Sequence, residues 1–452
     1  MEDLLPGYSG KARKLLEEKK TYVWSRVKLR IDGLELNAII LPAPAGSEEL
    51  IYVKLDNGYN TAFNVNRIRD IKVLSHGHVE YKIKKREIRW KSGLPHVVII
   101  GAGGTIASRV EYETGAVKPA FTPTELLNAN PELANIARIE PIELFNILSE
   151  HMTPRHWIQI VKKVEEIANS GVAGIVITHG TDTMHFTAAA ISFMLVKLAI
   201  PVVLTGAQRS SDRPSSDASF NLICSTRFAA YSDCAEVVIC MHAFPDDIAC
   251  FAHRGVRVRK MHSSRRDTFQ TVGDLPIAIV MPDKIKYLKD DYKRREKETV
   301  ADAVFEEKTA LIYMYPGISS DIIETLIDKR YRGLVLAGTG LGHAPEYLFS
   351  TIKRAIGEGM HIVMTSQCPW PHIQMNVYET GRKLLQIGVI PGENMLPEVA
   401  YVKLGWILAH TDDRKEVTRL IQTNLRGEII ERESVLGYPF MLLKDTLKGY
   451  LE

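Results

Sequence analysis

Two threonine hydroxyls follow runs of residues that are typical of strands buried on both faces of a sheet. Thr105 comes after the β-branched run Val97–Ile100 and a turn with three glycines within four residues. Thr181 comes after the run Gly174–Thr178 and is followed directly by Asp182. Because ligands bind outside the carboxyl ends of strands in open α/β sheets, both hydroxyls are candidates for a site. The alternative for each is a capping role at the next helix, and for Thr105 alone that interpretation is slightly favoured.

Two known glycine loops and a metal site fit these stretches less well. A dinucleotide-binding fingerprint needs glycine or alanine where Ile106 stands, and no Gly-Lys-Ser/Thr follows to make a phosphate-binding P-loop. A metal site could use His179, Asp182 and His185. All three come from one turn, however, and no cysteine pair or His-Glu-x-x-His spacing stands nearby. We therefore predict that the chain holds no metal.

The stretches around the two threonines resemble the signature motifs of the asparaginase/glutaminase family. The resemblance spans roughly residues 95 to 430 and rests on Gly103–Ala107, His179–Met184, Leu204–Arg209, Asp217–Leu222 and Arg257–Lys260. It implies an α/β two-lobed core in which helices cover parallel sheets, and it implies hydrolysis of a carboxamide.

The resemblance assigns catalytic roles to four side chains. Thr105 would attack the side-chain amide and form an acyl-enzyme, and the order in which the two threonines act stays open. Thr181, Asp182 and Lys260 would form a relay that activates water and moves protons. These residue types suit the reaction, because a threonine hydroxyl needs a base and a desolvated lysine with a lowered pKa can supply one.

The resemblance also assigns four residues to substrate binding. Backbone N–H groups around Gly104 and Gly180 would form the oxyanion hole. Ser149 would hold the α-carboxylate of the substrate. Tyr112 would close over the site from a polar loop, with a plain exposed loop tyrosine as the alternative.

A basic segment surrounds the predicted catalytic lysine. By residue type alone it is a nucleic-acid patch. The resemblance reserves Lys260 for catalysis and leaves the arginines of this segment for RNA or for a partner protein: Arg254, Arg257, Arg259, Arg265 and Arg266.

The composition is that of an ordinary globular protein. The chain has 452 residues, of which 45% are hydrophobic and 25% charged, and its net charge is +3. This length suits two or three domains, and so small a charge permits an RNA partner without indicating one. The five cysteines form an odd set without metal-ligand spacing, which fits a reducing compartment. No apolar signal core and no run of eighteen apolar residues occurs, so we predict a cytoplasmic protein with no membrane contact.

Changes in sequence pattern divide the chain into three units. Residues 1–85 predict a small all-β, barrel-like domain, because alternating runs flank the hairpin signal Asp56-Asn57-Gly58. Residues 93–285 alternate strand and helix patterns, as expected for a catalytic α/β domain. Residues 300–452 repeat that alternation in a second, smaller α/β domain. The first unit carries no catalytic constellation and is interpreted as a docking or binding module.

The N-terminal β-module, the charged linker after it and the loop at 208–213 are similar to those of the glutaminase (D) subunits of archaeal glutamyl-tRNA(Gln) amidotransferases. That resemblance implies that the chain hydrolyses glutamine and passes ammonia to a partner, the E subunit. The partner would use ATP and Mg to convert Glu-tRNA(Gln) to Gln-tRNA(Gln), whereas this chain would bind no cofactor. A homodimer of this chain within an α2β2 heterotetramer is implied. Two alternatives stay open: a free-standing L-asparaginase with a β extension, and a non-catalytic RNA-binding or scaffold protein.

Overall fold

The computed structural model describes residues 3–56, 60–76, 90–104, 108–111, 116–119, 130–209, 216–434 and 437–438, with 108–111 and 116–119 described by their backbone alone. Among these residues, none of the helices has the length and apolar character needed to cross a bilayer.

The N-terminal unit is a five-stranded antiparallel sheet with one helix. Its elements are α1 (Gly10–Glu18), β1 (Arg26–Ile31), β2 (Leu34–Ile40), β3 (Leu50–Leu55), β4 (Asn60–Asn64) and β5 (Ile68–Ser75). The strand order is β4-β3-β2-β1-β5. Alternate residues of β1, such as Val27 and Leu29, point into a core that also takes up Ala12 and Leu16 of the helix. This confirms the predicted N-terminal domain of strands.

An eight-stranded sheet forms the centre of the second unit. Its strands are β6 (His96–Gly103), β9 (Arg138–Ile147), β10 (Gly174–Thr178), β12 (Val202–Thr205), β13 (Val237–His242), β14 (Cys250–Arg254), β17 (Ala278–Val280) and β18 (Ile285–Tyr287). They lie in the order β18-β17-β14-β13-β12-β10-β6-β9, in which the strands from β13 to β9 are parallel and the others are antiparallel. Three two-stranded ribbons accompany them: β7 (Ser108–Glu111) with β8 (Ala116–Pro119), β11 (Leu195–Lys197) with β19 (Val300–Ala301), and β15 (Val258–Lys260) with β16 (Phe269–Thr271).

Helices cover both faces of this sheet. Along β6, Val97 and Ile99 join one buried cluster while Val98 and Ile100 join the other, so the β-branched run does form a strand buried on both sides. The helices of this unit are α2 (Pro154–Ala168), α3 (Met184–Met194) and α4 (Ala218–Tyr231).

The third unit contains a four-stranded parallel sheet. Its elements are β20 (Thr309–Tyr313), α5 (Asp321–Asp328), β21 (Gly333–Gly338), α6 (Phe349–Gly357), β22 (His361–Ser366), α7 (Glu379–Ile387), β23 (Ile390–Pro391), α8 (Pro397–Leu408) and α9 (Arg414–Gln422). The strand order is β20-β21-β22-β23. The unit packs against the second one through α8, whose Val399 and Val402 belong to the core of the larger sheet. The two-lobed asparaginase-like α/β core is thereby confirmed.

Two arginines of the basic segment are buried and structural. The prediction that they are available to RNA or to a partner protein is therefore wrong. Arg254 is buried and makes a two-pronged ion pair with Glu236, with Nε–Oε2 at 2.7 Å and Nη2–Oε1 at 3.1 Å. Arg257 is fully buried and donates hydrogen bonds to the backbone carbonyls of Val272 and Asn394. Burial lowers the pKa of Arg257 to about 10. These guanidinium groups satisfy buried acceptors, and Arg257 in doing so joins the second unit to the third.

Candidate active site

Lys260 contacts two of its predicted catalytic partners directly. Its Nζ donates to Thr181 Oγ1 at 2.8 Å and to Asp182 Oδ1 at 2.8 Å. The lysine side chain is 9% exposed, whereas the Asp182 side chain is 71% exposed. The ammonium group is therefore largely withdrawn from water while its counter-ion faces solvent.

Two separate elements hold this group in place. Thr181 and Asp182 stand between β10 and α3, where the chain leaves the carboxyl edge of the parallel sheet. The His179 backbone N–H bonds to the Thr205 carbonyl on the neighbouring strand and fixes that exit. Lys260 is the last residue of β15, which pairs with β16 through Lys260 and Phe269. The sheet edge and the ribbon thus bring together residues 78 and 79 positions apart in the chain.

The predicted oxyanion-hole glycines lie against each other. Gly104 has φ +88°, and a Cβ built on it would lie 2.2 Å from the Gly180 backbone nitrogen. A Cβ built on Gly180 would in turn lie 2.6 Å from Ser149 Cβ. Ser149 is buried, and its carbonyl accepts a hydrogen bond from Thr183 Oγ1 at 2.7 Å. Only glycine at 104 and 180 allows the three chain segments to approach this closely.

Six of the eight predicted site residues therefore come together at one edge of the central sheet: Gly104, Ser149, Gly180, Thr181, Asp182 and Lys260. Thr105 and Tyr112 lie outside the described residues, and their roles stay predictions. Thr105 follows Gly104 directly in the chain.

His179, one of the possible metal ligands of this turn, makes hydrogen-bonding contacts within the protein. The buried His179 ring contacts the Gly180 carbonyl at 2.7 Å and Thr187 Oγ1 at 2.9 Å. Burial lowers the pKa of His179 to about 4, so the ring is neutral near neutral pH. Within the part of the chain that the structure describes, no group of three or more histidine, cysteine, aspartate or glutamate side chains is arranged to hold a metal ion.

A buried acidic residue beside the site was not found from the sequence. Glu398, in the first turn of α8, has only 2% of its side chain exposed and lies 3.1 Å from Arg259 Nε. The same carboxylate oxygen lies 3.7 Å from His185 Nε2. Burial raises the pKa of Glu398, and the nearby Arg259 opposes that rise. Burial also lowers the pKa of His185 to about 3, helped by the charges of Arg259 and Lys260. No local pattern marks Glu398, because its partners are more than a hundred residues away in the chain.

The arrangement is suited to moving a proton between a hydroxyl and an amine. A lysine nitrogen in hydrogen-bonding contact with a threonine hydroxyl can accept its proton when neutral and return it when charged. Asp182 stabilises the charged form through the ion pair. The glycine contact brings two backbone segments together at the same edge, where the Gly104 N–H donates to the Ile147 carbonyl at 3.2 Å.

Three family models match the chain. "Asparaginase, N-terminal" matches residues 96–293, "Glutaminase/Asparaginase C-terminal domain" matches residues 308–421, and "GatD N-terminal domain" matches residues 22–74. Among solved structures, the thermostable L-asparaginase from Thermococcus kodakarensis is similar with a TM-score of 0.66 and 31% identity, covering 74% of this chain and 99% of that one.

Full-length relatives extend the similarity over all three units. The D subunit of the glutamyl-tRNA(Gln) amidotransferase from Pyrococcus furiosus is 53% identical over 402 residues, covering 88% of this chain and 92% of the relative. The corresponding D subunit from Thermofilum pendens is 44% identical over 450 residues, covering 96% of this chain and 98% of the relative. The chain therefore belongs to the family of glutamyl-tRNA(Gln) amidotransferase D subunits, which joins an asparaginase-like core to a distinctive N-terminal domain.

Proposed function

We propose that this chain is the glutaminase subunit of a tRNA-dependent amidotransferase, working in the cytoplasm. The observation that carries the proposal is the position of Lys260 Nζ, 2.8 Å from both the Thr181 hydroxyl and the Asp182 carboxylate. Membership of the D-subunit family supports glutamine as the amide donor.

The reaction proceeds in two acyl-transfer steps. The Thr105 oxygen attacks the carbonyl carbon of the glutamine side chain and gives up its proton, the C–N bond breaks, and the amide nitrogen takes up that proton and leaves as ammonia. Water then attacks the resulting ester, the bond to the Thr105 oxygen breaks, and a water proton returns to that oxygen, which gives glutamate and the free hydroxyl. Lys260 moves the proton between Thr181 and the attacking oxygen, and Asp182 stabilises the lysine when it is charged.

Substrate groups would be held by the residues around the glycine contact. The N–H groups near Gly104 and Gly180 stabilise the oxyanion, where removing one donor typically costs about 2.7–4 kcal/mol of barrier. Ser149 holds the α-carboxylate of glutamine, and Tyr112 closes over it.

The ammonia would serve a partner protein. This partner, the E subunit of the amidotransferase, uses ATP and Mg to activate the glutamate of Glu-tRNA(Gln) and amidates it, while this chain binds no nucleotide. A homodimer of this chain within an α2β2 assembly is the stoichiometry that we propose. The N-terminal sheet is a candidate surface for contact with that partner, since none of the predicted site residues lies in it.

The test is ammonia release from glutamine and from asparagine by the purified chain, alone and with the E subunit plus Glu-tRNA(Gln). We expect weak release alone and a rise with the partner and the tRNA, with glutamine preferred. Strong asparagine hydrolysis that ignores both additions would make the chain a free-standing L-asparaginase, the activity of its structural neighbour. No release under any condition would favour a non-catalytic scaffold.

A further inference from the structure

The loop Gly206–Arg209, here called the Gly206 loop, lies directly against the catalytic threonine. A Cβ built on Gly206 would lie 3.0 Å from Thr181 Cγ2 and 2.6 Å from the His179 carbonyl oxygen. The loop follows β12, the neighbour of β10 in the sheet. Any movement of this loop therefore changes the space around Thr181.

The buried carboxylate of Asp217 holds the backbone of the Gly206 loop. Asp217, just before α4, is fully buried, and both of its oxygens accept from the Gln208 backbone N–H at 3.0 Å. Asp217 Oδ1 also accepts from the Arg209 backbone N–H at 3.0 Å. One helical turn later, the buried Asn221 donates from Nδ2 to the Gly206 carbonyl at 3.0 Å and to Asp217 Oδ2 at 3.1 Å.

These contacts determine the orientation of the Asn221 amide. Its nitrogen faces two acceptors, so its oxygen must face the other way. Asn221 Oδ1 lies 2.5 Å from His242 Nδ1, and His242 Nε2 lies 2.9 Å from Asp247 Oδ1. Both nitrogens of the fully buried His242 ring thus face acceptors. The ring therefore connects the Asn221 amide to Asp247.

Further contacts hold the His242 ring and its partners in place. Asp247 lies on the loop after β13 and also pairs with Arg266 at 3.1 Å. The Cys250 thiol donates to Asn221 Oδ1 at 3.4 Å, and the centroid of the Phe220 ring lies 5.1 Å from that of the imidazole.

We propose that Asp217, Asn221 and His242 are positioning residues for catalysis, and that together they hold the Gly206 loop against Thr181. Removing the Asn221 amide or the His242 ring takes away this support. The loop then loosens, and kcat falls. The proposal rests on the proposed function only for its activity measurements.

The first test follows the loop without using activity. Hydrogen exchange measured by mass spectrometry should be faster over residues 205–209 in Asn221→Ala and in His242→Gln. The control is His361→Gln, a buried histidine at the start of β22 in the third unit, which should leave exchange over 205–209 unchanged.

The second test is the kinetics of glutamine hydrolysis. His242→Gln should lower kcat/KM by about tenfold, the loss expected for one hydrogen bond, and the loss should lie in kcat rather than in KM. Asp247→Ala changes a half-exposed residue, so it should fold normally, and it should show a smaller loss of the same kind because the ring keeps its contact with Asn221.

Two results would overturn the proposal: unchanged exchange over 205–209 in Asn221→Ala, or a wild-type kcat in His242→Gln. If the wild type released no ammonia at all, the proposed function would fail, while the exchange measurements would still decide the role of His242.

Discussion

Arg259 and Glu398 form an ion pair between the two α/β units, with 3.1 Å between Nε and Oε1. Arg259 precedes Lys260 on β15, and its Nη2 also donates to the Tyr313 hydroxyl at 3.1 Å. His185, on α3, lies 3.7 Å from the same Glu398 oxygen. The Glu398 carboxylate of the third unit therefore lies against both β15 and α3. These are the elements that flank the pair of Lys260 and Asp182.

The first prediction concerns this carboxylate. Glu398→Ala leaves the Arg259 charge without its buried partner, and breaking a buried pair typically costs about 3–5 kcal/mol. We expect a clearly lower free energy of unfolding in urea and a lower kcat, because β15 loses one of its supports. The matched control is Glu358→Ala, which removes the half-exposed pair with Arg354 and should leave stability almost unchanged. Equal stabilities for the two variants would show that the interface does not depend on this ion pair.

The second prediction concerns the glycine contact. Gly104→Ala forces a Cβ into the Gly180 backbone and also places alanine at φ +88°. Gly46→Ala is the control, since Gly46 has φ +82° but nothing within 4 Å of its built Cβ. Both variants bear the strain of a positive φ, which costs roughly 1 kcal/mol. Only Gly104→Ala should abolish glutamine hydrolysis, measured as ammonia release; comparable loss in Gly46→Ala would mean that backbone strain alone is responsible.

The third prediction separates ammonia production from ammonia use. Lys260→Ala and Thr105→Ala should each abolish glutamine-dependent formation of Gln-tRNA(Gln) by the complex, because the proposed proton carrier or the proposed nucleophile is lost. Both should retain formation from added ammonium salt, since we propose that the partner carries out the amidation. Lys197→Ala, at a half-exposed surface pair with Glu298, serves as the control and should retain both activities. Loss of the ammonium-dependent reaction in Lys260→Ala would contradict this division of work.

Local sequence patterns were enough to predict the strands that carry the site. The run at 97–100 has β-branched residues on both faces, and the positive-φ glycine at 104 follows it, so the position of Gly104 at a sheet edge could be read directly. The contact of Lys260 with Thr181 was predicted only through the family resemblance, because the two residues lie 79 positions apart.

The residues that sequence patterns missed are those whose roles depend on packing. In the sequence, Glu398 is simply an acidic residue in the first turn of a helix. It is buried beside Arg259 only because α8 packs on α3. The sequence pattern around Arg254 and Arg257 predicts a basic surface. Each side chain is buried instead, because hydrogen-bond acceptors from distant segments surround it. His242 reads as a histidine at the end of an apolar strand, and its two acceptors come from α4 and from the loop after β13.

The last prediction concerns acid stability and His179. Burial lowers the pKa of this ring from 6.5 to about 4, so between these values the unfolded chain binds a proton that the folded chain does not. Stability is therefore fully present above about pH 6.5 and falls as the pH drops toward 4, with a slope of up to about 1.4 kcal/mol per pH unit from this residue. His179→Asn keeps a donor for the Gly180 carbonyl but cannot titrate, so the pH dependence of the urea unfolding free energy between pH 4 and 6.5 should become shallower. A wild-type slope in His179→Asn would mean that the proton is taken up elsewhere.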